Sequence, residues 1–208
     1  MRYLYKHILP FSNSSARSFS MPLIASSSAH LLVIDVQERL APALTAASSL
    51  LARVKLLVAA AREVGVPVTV TEQYPAGLGR TVADVAAALP PDAPIIEKMA
   101  FSAFAAIKDR MAVLAASGRP ELIVCGAEAH VCVLQTVIEA RDHGVSVILA
   151  ADAVSSRRRI DEDIALRRMA EAGATLATTE MIVFEWLREA GTPSFKALAP
   201  AIKALGNC

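Results

Sequence analysis

From residue 29 onward, short apolar runs alternate with amphipathic stretches. Residues 31–36 (LLVIDV), 67–71 (PVTVT), 95–98 (IIEK), 121–125 (ELIVC), 145–150 (VSVILA) and 174–178 (ATLAT) read as six strands, each short and bounded by turn residues. Between them apolar positions recur at helical spacing over 44–64, stopped by Gly65, and over 82–89, 103–116 and 160–172. Two further helices are expected near 181–190 and 193–204. The chain turns on residues 121–144 (ELIVCGAEAHVCVLQTVIEARDHG), where a strand hands over to a helix. The run 121–125 lacks alternation, which suits a strand buried on both faces. From His130, Val131, Leu134, Val137 and Ile138 follow helical spacing to Arg141, and Gly144 is the stop. Strands alternating with helices predict an α/β fold: three layers, α/β/α, around a parallel sheet of six strands joined by right-handed crossovers. No internal repeat is visible. In such sheets ligands bind at the carboxyl ends of the strands, near the point where strand order reverses.

Composition narrows the function. The chain has 208 residues, enough for one α/β domain. Lys plus Arg (21) nearly cancels Asp plus Glu (20), so no charge excess advertises nucleic acid or an acidic membrane, and a small-molecule substrate is expected. No apolar run reaches the roughly 18 residues of a spanning helix. The three cysteines, Cys125, Cys132 and Cys208, form neither a disulfide framework nor a zinc pattern, which fits a reducing, cytoplasmic compartment. Residues 1–28 stand apart, with Arg2, Lys6, Arg17, many serines and no acid. Three readings stay open: a mitochondrial transit peptide, a disordered tail, or an upstream start with Met21 as the beginning. The fold is assigned to residues 29–208. Apolar terminal helices favour a homo-oligomer, dimer or tetramer.

Candidate chemistry follows from the strand ends. Asp35, Glu72, Lys98, Glu128, Cys132 and Asp152 all lie at or just past the carboxyl end of an expected strand and share a candidate crevice. Cys132 falls in the first turn of the helix from His130, where unpaired amides and the positive dipole end favour a thiolate, the form of cysteine that attacks carbonyl carbon. An attacking cysteine needs a proton acceptor and a neighbour that favours charge. Aspartate, lysine and cysteine together supply base, electrostatic partner and nucleophile.

Asp35 in LLVIDVQ, Lys98 in EKMAFSAF and Cys132 in VCGAEAHVCVLQT resemble the Asp, Lys and Cys positions of the isochorismatase-like cysteine hydrolases, the superfamily that also holds nicotinamidases. TEQYPAGLG, DAVSSR, TTEM and GTPSFK look like the branch of isochorismatase domain-containing hydrolases, and the likeness covers residues 29–203. The resemblance implies a Rossmann-like strand order and a thioester acyl-enzyme on Cys132. It also implies a non-proline cis peptide at Ala127–Glu128, with the backbone N–H groups of Glu128 and Cys132 as oxyanion hole. The chain departs from nicotinamidases where TEQYPAGLG replaces their Asp-x-His element. The four histidines, His7, His30, His130 and His143, do not form a ligand cluster, so neither metal nor cofactor is expected. The expected activity is hydrolysis of a small amide or related carbonyl compound. Vinyl-ether hydrolysis of the isochorismatase type and a non-catalytic small-molecule-binding or scaffold role are the alternatives.

Gln73, Tyr74, Phe101, Glu128 and His130 are the candidate pocket residues, Glu128 being expected to favour an amide or cationic nitrogen. Phe104 is a pocket wall or plain core. His130 is a poor base for Cys132, because positions i and i+2 on a helix point about 200° apart. Gly77 and Gly79 lack the third glycine of a dinucleotide site. Arg157, Arg158 and Arg159 read as a solvated helix start, Cys125 as core, and Trp186 as core or subunit contact.

Overall fold

The computed structural model describes residues 22–206. Its centre is a six-stranded sheet in the order β3-β2-β1-β4-β5-β6, parallel at every pairing. The strands are β1 (Ala29–Ile34), β2 (Val68–Gln73), β3 (Ile95–Lys98), β4 (Glu121–Ala127), β5 (Ser146–Ser155) and β6 (Thr175–Ala177). The chain builds outward from β1 through β2 to β3, then returns to the other side of β1 with β4. The strand order therefore reverses between β1 and β4, as in doubly wound nucleotide-binding folds.

The alternation within β1 shows why both faces are covered. Leu31 and Val33 pack on one side with α1 (Ala47–Glu63), α3 (Ala83–Ala86), α7 (Thr179–Leu187) and α8 (Pro193–Leu205), where Leu57, Val85, Ile182 and Leu198 fill the layer. Leu32 and Ile34 pack on the other with α4 (Phe104–Ala116), α5 (Leu134–Asp142) and α6 (Arg159–Glu171), against Ile107, Val137 and Met169. A short turn, α2 (Pro75–Leu78), completes the helices. The three-layer α/β/α sandwich expected from the alternation is the architecture observed.

Several local expectations change. Residues 22–28, grouped with the tail on composition, pack on the domain: Ile24 is buried in the core and donates its N–H to Glu185 (2.6 Å), while Ser28 donates to Glu121 (2.7 Å). The Met21 start and the rest of the tail lie outside the described residues, as does Cys208. The patch at 82–89 shrinks to the single turn α3. Strand β5 continues five residues past Ala150, and its pairing with β4 shifts register between Val124 and Gly126. Gly126 explains where that irregularity falls. Its φ is +119°, and a Cβ there would stand 2.0 Å from the Ile34 carbonyl oxygen, so only glycine lets β4 pass β1 this closely.

Candidate active site

Each functional side chain is delivered at or just past the carboxyl end of a strand, Asp35 and Cys132 from the two strands flanking the reversal point and Lys98 from the edge strand β3. Asp35 follows β1 directly, in a left-handed conformation (φ 50°) that aspartate tolerates better than most residues. Its N–H continues the ladder to Thr71 (3.1 Å), and its fully buried carboxylate accepts from the Thr71 hydroxyl (2.7 Å) and the Lys98 ammonium (2.6 Å). Lys98 ends β3 and donates also to Gln73 Oε1 (2.8 Å) and to the carbonyls of Phe101 (3.0 Å) and Ala100 (3.3 Å). The ammonium is thus held by one carboxylate and a cage of neutral oxygens, as a buried charge requires.

Gln73 and Glu72 are sequence neighbours with opposite fates. Period-2 alternation sends Gln73 toward Lys98. Glu72 points to the other side, where it accepts from Thr81 N (2.7 Å), Thr81 Oγ1 (2.8 Å) and Arg80 (3.0 Å). Those bonds hold the Glu72 carboxyl below its ordinary range, although burial opposes them as the largest single influence. Glu72 therefore does not join the crevice. Asp152 does not either: it lies within the extended β5 and binds Arg53 (2.9 Å), the Thr179 N–H (2.7 Å) and the Thr179 hydroxyl (2.9 Å), fastening α1 and α7 to the sheet.

Beyond β4 the Ala127–Glu128 peptide is cis. Residues Ala129–Val133 form a π-helical turn that leads into α5, with the Glu128 carbonyl accepting from Val131 (3.1 Å) and Val133 (3.2 Å). Cys132 sits on this turn, only 5 % exposed, and its carbonyl accepts from Thr136 (2.6 Å). Its thiol faces Asp35 and Lys98. Burial pushes that thiol up to about 12; the Asp35 carboxylate adds to the rise and the Lys98 ammonium opposes it. Burial and the Asp35 carboxylate thus work against the thiolate that the helix start was expected to favour. The resting group is a neutral thiol beside a carboxylate. Cys125, on β4, is fully buried, and its thiol is pushed higher still by burial alone.

Asp35, Cys132, Gln73, Phe101 and Glu128 line one cleft of about 330 Å³. Lys98, Tyr74 and His130 are not among its lining residues. The Tyr74 backbone is left-handed (φ 38°) and its ring lies on Gly77, where a Cβ would come within 2.3 Å of it. His130 pairs through Nδ1 with Ser156 Oγ (2.9 Å). Phe104 starts α4 and packs against His143, ring centroids 4.5 Å apart, and Trp186 is core. Glu128 is paired rather than free, accepting from Arg157 Nε (2.9 Å) and Arg157 N (3.2 Å). Arg158 and Arg159 make helix-start ion pairs with Asp161 and Asp163.

Sequence reasoning missed Gln37, Arg39 and the part played by Arg157. Gln37 is fully buried. It accepts from Gln73 N (2.8 Å) and donates to the carbonyls of Gln73 (3.0 Å) and Gly79 (2.7 Å), clamping the end of β2 to the following loop. Its position directly after Asp35-Val36 was the available signal. Arg39 and Arg157 line the cleft with Leu40, Ala43, Leu78 and Val131. Among the described residues no three His, Cys, Asp or Glu side chains gather as a metal-binding group.

The isochorismatase domain model matches residues 29–181, a span that contains Asp35, Lys98 and Cys132. The isochorismatase domain-containing protein 2A of Mus musculus is 33% identical over 193 residues, covering 91% of this chain and 89% of its own. The secreted isochorismatase effector Isc1 of Phytophthora sojae is 35% identical over 175 residues, covering 83% of each chain. A solved structure described as MAR1 ribonuclease from Caenorhabditis elegans superposes with a TM-score of 0.81 at 34% identity, covering 88% of this chain and 93% of that one. With the sheet order, the strand-end residues and these matches in agreement, the chain belongs to the isochorismatase family of hydrolases.

Proposed function

We propose that the protein is a cysteine hydrolase that cleaves a small amide or related carbonyl compound through an acyl-enzyme on Cys132. The observation that carries this is that Asp35 and Cys132 line one cleft at the strand ends while the buried Lys98 ammonium, outside the lining, pairs with Asp35 at 2.6 Å. Because the resting thiol is neutral, Asp35 takes its proton as sulfur attacks the carbonyl carbon. The S–C bond forms while the carbonyl π pair moves to oxygen, toward the backbone N–H groups of Glu128 and Cys132. Protonated Asp35 then gives its proton to the departing nitrogen as the C–N bond breaks, leaving a thioester. Water attacks the thioester with Asp35 again as acceptor, and the released thiol recovers a proton. Lys98 keeps Asp35 oriented and stabilises whichever partner is anionic.

The test is a panel of small amides followed by ammonia release, with mass spectrometry of the quenched protein. An acyl mass on Cys132 is expected with any turned-over amide. Cys132→Ala should lose turnover, and Asp35→Asn should slow it by about 10² or more. Full activity in Cys132→Ala, or adducts on Cys125 alone, would end this mechanism.

A further inference from the structure

The cleft holds more cation than its chemistry consumes. Lys98 is matched by Asp35 (2.6 Å), and Arg157 by Glu128 (2.9 Å), but Arg39 has no carboxylate partner among the described residues. It bonds instead to two carbonyls, Gly77 (2.9 Å) and Ala76 (3.4 Å), which fix its guanidinium at the cleft without neutralising it. Arg157 spends only Nε and its backbone N–H on Glu128, so its two terminal nitrogens stay available. Asp161, close enough to feel Arg157, is itself held by Arg158 through two bonds (2.8 and 3.2 Å). The balance around the nucleophile is therefore positive, and Glu128, on which a cationic substrate would depend, is already engaged.

We infer that Arg39 and Arg157 form an anion subsite, and that the substrate's acyl portion carries a carboxylate that docks there while its carbonyl meets Cys132. Guanidinium groups suit this role because their planar forks match carboxylate geometry. The inference builds on Cys132 as the nucleophile proposed above, but its test needs no turnover.

The probes are iodoacetate and iodoacetamide, which alkylate a thiol by the same step: sulfur displaces iodide, an S–C bond forms and the thiol proton leaves. They differ in carrying a carboxylate or a neutral amide. The rate ratio of iodoacetate to iodoacetamide at Cys132, located by peptide mapping and divided by the same ratio for glutathione, isolates the anion preference. A normalised ratio of about threefold at low salt is expected, because Arg39 is exposed and the Arg157 side chain is 60 % exposed, so solvent screens the contact. Arg39→Gln and Arg157→Gln should each bring it toward one, Arg39→Lys should keep most of it, and Glu128→Gln should raise it by freeing Arg157. High salt should flatten it.

A normalised ratio of one or below, indifference to both arginine substitutions, or failure of both reagents to label Cys132 would overturn the inference. Lack of amide turnover with the ratio intact would remove the hydrolase proposal and leave the subsite standing. Turnover of neutral amides with a ratio of one would do the reverse.

Discussion

His30 offers a quantitative check on the packing beneath the sheet. It lies in β1, only 2 % exposed, with Nε2 at 2.8 Å from Thr69 Oγ1. That oxygen already accepts from Arg110 Nε (2.7 Å), so we assign its own proton to the bond with His30, making Nε2 an acceptor and the ring neutral. Burial is the main cause that lowers this histidine from 6.5 to about 4, and the charges of Arg110 and Arg119 lower it further. The unfolded chain therefore binds a proton at His30 below about pH 6.5 that the folded chain refuses until about pH 4. Between those limits the unfolded state holds more protons, so stability falls as pH falls. At about 1.36 kcal/mol for each tenfold change in affinity, the loss from pH 7 to pH 4 is about 3 kcal/mol. Urea unfolding of the native sequence and of His30→Gln at pH 7, 5.5 and 4 isolates this contribution, since other acid effects are common to both. The native sequence should lose about 3 kcal/mol more than the variant. Parallel curves, or an NMR titration that places the His30 ring near 6.5, would refute the account.

Two other measurements bear on the site. Asp35→Asn should destabilise the fold by about 3 kcal/mol, because it strands a buried ammonium. Lys98→Met in that background should restore part of the loss, whereas additive effects of the two changes would show that the pair is not coupled in the folded protein. Exhaustive chelation should leave amide turnover, or labelling of Cys132, unchanged, since no ligand cluster forms among the described residues. Stoichiometric zinc or iron in elemental analysis of the purified protein would contradict that.

The local pattern of the chain carried the fold. Unbroken apolar runs such as ELIVC demand cover on both faces, and helices between parallel strands supply it, so three layers follow from patterning alone. Asp35, Lys98 and Cys132 were legible as candidates because the strand-end rule needs only the strand boundaries. Other features depended on contacts that sequence spacing does not encode. Strand phase separates Glu72 from Gln73, and the register shift that lets β5 run on past Ala150 places Asp152 against α1 and α7 rather than in the cleft. The left-handed turn at Tyr74 takes its ring onto Gly77. Arg39, which follows β1, and Arg157, which follows β5, come to line one cleft only because β4 alone separates those two strands in the sheet. Above all, the surroundings of the Cys132 thiol are a matter of packing. A helix start is visible in a string of residues, but the burial that opposes its dipole is a property of everything packed around the sulfur, and only the folded chain sets it.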